Sequence, residues 1–97
     1  MTKLVRLEED VIELIKTYVK SIDANAHVYV FGSRANLNKR GGDIDLFILS
    51  AIFSYEESRQ LRFKIEDLIG EQKIDVLFAK DTSDPFIRSI FQKAVKL

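Results

Sequence analysis

Gly41-Gly42-Asp43-Ile44-Asp45-Leu46-Phe47-Ile48-Leu49 decides the reading of this chain. Its apolar run has the composition of a buried strand, yet two aspartates stand one residue apart at its head. Alternate residues of a strand point to the same face, which predicts that Asp43 and Asp45 aim their carboxylates into one space, about 7 Å apart along the backbone. Aspartate is disfavoured in strands and is rarely buried unless paired. Two such anions about 5 Å apart repel by roughly 3 kcal/mol at an effective dielectric near 20, so a fold that keeps them there calls for a cation.

Upstream of this stretch, His27-Val28-Tyr29-Val30-Phe31 is β-branched and aromatic enough to form a strand that runs directly into Gly32-Ser33. A polar segment from Asn36 to Gly42 then turns the chain back, with Lys39 and Arg40 expected in a solvated loop. Before the first strand, Leu7, Val11, Leu14, Ile15, Tyr18, Val19 and Ile22 recur at helical spacing, which predicts a helix from Leu7 to Ile22.

Downstream, Ser54 and Glu57 have the form of a capping box and open a helix from Tyr55 to Ile69. Its inner face is expected to use Leu61, Ile65, Leu68 and Ile69, and Gly70 ends it. Ile74-Asp75-Val76-Leu77-Phe78 reads as a third strand. Asp84-Pro85 starts a last helix, with Phe86, Ile87, Ile90, Phe91 and Ala94 on one face as core or partner contact. The fold class is α/β (α+β): a small mixed sheet of about three strands packed with helices, in a single domain over residues 1–97.

Composition narrows the function. At 46% hydrophobic and 31% charged the chain is neither disordered nor a membrane protein, and its apolar runs fall far short of a spanning helix. Without a signal-peptide pattern it is expected in the cytoplasm. The absence of cysteine and the single histidine, His27, leave oxygen ligands and hence a hard cation such as Mg²⁺. His27 itself is expected to be structural. The balance of 15 basic against 15 acidic residues offers no extended nucleic-acid surface, but is compatible with a nucleotide carried with its own metal.

Gly32 permits close backbone approach, and the Ser33 hydroxyl suits a phosphate alongside backbone N–H groups; by itself the pair is also an ordinary turn. Arg34 suits a phosphate or the solvent surface equally. If the third strand lies beside the second, Asp75 completes a three-carboxylate cluster with Asp43 and Asp45; otherwise it is an edge-strand surface residue. Two metal ions in such a cluster would stabilise the attacking and leaving oxygens of a displacement at phosphorus. A hydrolase built on Ser33, His27 and an aspartate lacks a surrounding nucleophile motif.

Phe31-Gly32-Ser33-Arg34-Ala35, the polar spacer, Asp43-Ile44-Asp45-Leu46 and the apolar strand holding Asp75 together resemble the nucleotidyltransferase superfamily that includes DNA polymerase β and the kanamycin nucleotidyltransferases. Within it the pattern is most similar to the minimal nucleotidyltransferases of bacteria and archaea, which are encoded beside HEPN-domain partners. Gly42 departs from the serine often found before the first aspartate, losing one hydroxyl but none of the acids.

The resemblance implies that Gly32 and Ser33 bind the β and γ phosphates, with Arg34 nearby, and that Asp43 and Asp45 bind divalent metals. It also implies that Asp75 is the third acid, serving the metal that activates the acceptor. The implied reaction transfers a nucleoside monophosphate, AMP from ATP first among them, to an acceptor hydroxyl on a HEPN-domain protein, with this chain as antitoxin. A partner or a second copy would complete the acceptor site. Two other readings stand beside it: a non-catalytic antitoxin that blocks its partner by binding, and a small-molecule nucleotidyltransferase of the antibiotic-modifying type.

Overall fold

The computed structural model describes residues 7–35 and 42–97. The polar turn with Lys39 and Arg40 lies outside them. Helix α1 spans Glu9–Ile22, strand β1 His27–Phe31, β2 Ile44–Leu49, helix α2 Tyr55–Ile69, β3 Ile74–Ala79, α3 Pro85–Lys93 and a short β4 Val95–Lys96. The strands form one mixed sheet in the order β3-β2-β1-β4. β1 pairs antiparallel with β2 and with β4, whereas β2 and β3 run parallel, joined by α2 as the crossover.

Period-two alternation sorts the sheet into two faces. Val28, Val30, Ile44, Leu46, Ile48 and Ile74 lie in one buried cluster with Val11, Ile15 and Val19 of α1 and Leu61 and Ile65 of α2. The other face is built around Phe47, which is fully buried. Its ring lies 6.0 Å from that of Tyr29 and 6.5 Å from that of Phe91, so α3 covers this face through one aromatic contact set. Tyr29 and Phe91 meet edge-on at 5.1 Å.

The expected bounds of α2 are met at both ends, with Ser54 as N-cap and Gly70 as C-cap. The capping box takes another form: the Ser54 hydroxyl donates to Glu57 Oε2 at 2.5 Å, and no side chain caps the backbone. Leu68 and Ile69 do not join the inner face as expected. They are 43% and 40% exposed, because the inward stripe runs through Ser58, Leu61 and Ile65.

In α3, Asp84 caps as expected, its Oδ1 accepting from the N–H groups of Phe86 and Ile87 at 2.8 and 3.3 Å. No residue of α3 is fully buried, and Phe86 is 64% exposed, so the predicted apolar face packs only in part. Helix α1 begins two residues later than expected, although Leu7 is still buried in the core. β4 was not expected. Two residues carry no periodicity, and the strand exists because Tyr29 and Val30 offer a free edge to Lys96 and Val95.

A polar brace ties the ends of α1 and β2 together. Ser50, 6% exposed, donates to Asp23 Oδ2 at 2.6 Å and accepts from the N–H groups of Ile52 and Phe53 at 3.2 and 3.1 Å. Ser50→Ala leaves those two donors without that acceptor and is expected to destabilise the fold by about 1–3 kcal/mol in denaturant titration. The Ser50 bond is also the main cause that holds the Asp23 carboxyl below its usual range, followed by the Asn25 N–H. A lowered carboxyl contributes stability that is complete above the ordinary value of 3.8 and is lost as pH falls through the lowered value. The gap between wild type and Ser50→Ala should therefore narrow in acid.

Candidate active site

Three elements meet where β1 ends and β2 begins. Antiparallel register sets Phe31 opposite Asp45, so Gly32, the next residue, leaves the strand beside the Asp45 carboxylate. Parallel register sets Asp45 opposite Asp75 on β3. Both aspartates lie on the face that carries Phe47, since either would enter the helix-covered core if its strand slipped by one residue.

Gly32 opens a one-turn 3-10 helix, Gly32–Ala35, with φ +71°, in the left-handed region that favours glycine. A Cβ at this position would run into Asp45 Oδ2. Glycine is thus required twice over, by conformation and by the approach of the carboxylate. Gly42 has φ +91°, which gives a physical reason for glycine where serine is common in the resembled family. Its carbonyl accepts from Arg34 Nη2 at 3.4 Å and from Gln72 Nε2 at 3.2 Å.

Asp43 lies just ahead of β2, which begins at Ile44, and its carboxylate is near enough to Asp45 to raise that carboxyl. Asp43 Oδ2 also stands 3.5 Å from the Nζ of Lys73, the residue that leads into β3. Asp75 is exposed on the edge strand rather than buried, so both of its expected descriptions hold: it is a surface residue, and it lies beside Asp45. The Arg34 guanidinium reaches back to the Gly42 carbonyl and ties the 3-10 turn to the approach into β2. Lys73 and Gln72 were missed by sequence reading. Their only signal was their position next to the strand that carries Asp75.

Electrostatics single out Asp45. Burial first, then the nearby Asp75 and Asp43 carboxylates, push its carboxyl above the usual range, while Lys73 pulls the other way. A set of carboxylate oxygens under mutual repulsion is the donor chemistry that suits a hard divalent cation. Among the described residues no three acidic side chains stand close enough to enclose an ion as they are placed. The set fits a cation in its donors and charge, with Asp45 and Asp75 adjacent and Asp43 turned to Lys73.

A mixed sheet backed by two helices, with two aspartates paired across neighbouring strands beside a strand-end glycine, defines a nucleotidyltransferase-type fold. The family model described as polymerase beta, nucleotidyltransferase, matches residues 9–97, and the chain belongs to that family. Nucleotidyltransferase domains of this kind use a nucleoside triphosphate and a divalent metal. No curated protein matched the chain. Among the described residues no helix is long and apolar enough to cross a membrane.

Two substitutions test this geometry. Gly32→Ala should cost about 1–3 kcal/mol of stability through its backbone conformation alone, with the contact against Asp45 added. Asp45→Asn should raise the melting temperature at neutral pH without added metal. The raised carboxyl opposes folding fully above its own raised value, and that penalty disappears as pH falls below the ordinary 3.8. The stabilising effect of Asp45→Asn should fade over that window in thermal melts.

Proposed function

We propose that this chain is a Mg²⁺-dependent nucleotidyltransferase that moves a nucleoside monophosphate, AMP from ATP first among them, onto an acceptor hydroxyl. The observation that carries the reading is the in-register pairing of Asp45 with Asp75 beside Gly32, in a chain of the polymerase-beta nucleotidyltransferase family. Asp43, Asp45 and Asp75 would hold the divalent ions. Those ions, when bound, would neutralise triphosphate charge and stabilise the oxygens that attack and leave phosphorus.

The chain's own residues set the geometry. Gly32 admits the Asp45 carboxylate against the end of β1, and Gly32, Ser33 and Arg34 would bind the β and γ phosphates. Asp75, exposed and next to Asp45, would take the acceptor's proton. The acceptor oxygen forms a bond to the α-phosphorus, the bond from that phosphorus to the bridging oxygen of the β-phosphate breaks, and pyrophosphate departs. Resemblance to the minimal nucleotidyltransferases supports a HEPN-domain protein as the acceptor and an antitoxin role for this chain in the cytoplasm, with the acceptor site completed by that partner or by a second copy. This step rests on family likeness.

Incubation with a HEPN-domain partner, α-labelled ATP and Mg²⁺ should add one nucleotide mass to the partner. Asp45→Asn and Asp75→Asn should each lower the rate by at least about a hundredfold while the domain stays folded by circular dichroism. Undiminished transfer in either variant would refute the assignment, and tight binding without any mass shift would favour the non-catalytic antitoxin.

A further inference from the structure

Among the described residues, Lys73 is a cation that faces the acid cluster: its ammonium stands 3.5 Å from Asp43 Oδ2. Its position is fixed from both sides: the Lys73 carbonyl accepts from the Ile44 N–H at 3.0 Å, and Gln72 holds the Gly42 carbonyl at 3.2 Å. The backbones that carry Asp43 and Lys73 are thus tied to each other at the start of the parallel pair. The side chain itself is 69% exposed and Asp43 is 44% exposed, so the ion pair is open to exchange with solvent ions.

We propose that Lys73 is a resident counter-cation of the acid cluster, which a divalent ion must displace from Asp43 before all three aspartates act on it together. The inference rests on the nucleotidyltransferase reading and deepens it, because it makes Lys73 a positioning residue that acts through Asp43. The ammonium at Asp43 offsets part of the negative charge of the acid cluster. A divalent ion gains the same carboxylates only by breaking that pair, so Lys73 weakens metal binding when nucleotide is absent. The released ammonium then stands free at the edge of the cluster, where a triphosphate gives it a new anionic partner. Metal and nucleotide would therefore help each other bind by sharing one lysine.

Mn²⁺ titration of the full chain without nucleotide, followed by loss of the free-ion signal in electron paramagnetic resonance, tests the proposal. Lys73→Met keeps the length and removes the charge, and should tighten Mn²⁺ binding about two- to fivefold, the range expected of an exposed ion pair. Lys73→Arg should restore wild-type affinity. Placed in an Asp43→Asn background, Lys73→Met should produce a much smaller gain, since the pair is already broken. Unchanged or weaker binding in Lys73→Met would overturn the proposal, as would an equal gain in the Asp43→Asn background. If the wild-type chain binds no Mn²⁺ at all, the nucleotidyltransferase reading fails and this inference falls with it. If wild type binds and Lys73→Met does not tighten, only the role of Lys73 is lost.

Discussion

The rest of the structure depends on the parallel register of β2 and β3. Ile44 pairs with Ile74 and Leu46 with Val76, and these side chains face the helices. Because alternation is strict, the same register sends Asp45 and Asp75 to the opposite face, side by side. A one-residue slip in either strand would carry a carboxylate into the core and expose an isoleucine. Hydrophobic burial under the sheet therefore enforces an unfavourable pair of charges above it. The raised Asp45 carboxyl is the trace of that conflict, and strain of this kind collects at functional sites.

The two faces divide the work. One is closed by α1 and α2 around a core of fully buried aliphatic side chains. The other is covered where Phe91 of α3 meets Tyr29 and Phe47, two residues along β2 from Asp45. Stability comes mainly from the closed face and from the Ser50–Asp23 brace at the far end of β2. The site is thus built at the end of β2 opposite the brace. The carboxylate pair occupies the part of this face beside the 3-10 turn, with Asp75 exposed to solvent.

Much of this was legible in the sequence, for physical reasons that can be named. The three longer strands announce themselves through β-branched and aromatic runs, and the ends of α2 and the start of α3 through Ser54, Gly70 and Asp84-Pro85. The adjacency of Asp45 and Asp75 followed once β3 was set beside β2. Other features were not legible, because they arise only in three dimensions. β4 is two residues added to an edge that β1 leaves open. Leu68 and Ile69 satisfy helical periodicity but stand exposed in the last turn of α2, off the stripe of Ser58, Leu61 and Ile65. Arg34 and Gln72 are polar residues distant in sequence from each other, and nothing local reveals that both grip the Gly42 carbonyl.

That shared carbonyl governs how the chain enters the site. Gly42, at φ +91°, turns the backbone immediately before Asp43, and the side chains of Arg34 and Gln72 both donate to its carbonyl. Asp45 and Asp75 are held by the ladder, whereas Asp43 lies outside it and answers to Lys73. The cluster therefore contains two acids placed by the sheet and one placed by a local ion pair. A serine at position 42 would have to adopt a left-handed backbone there, so the turn into Asp43 favours glycine over any residue with a side chain.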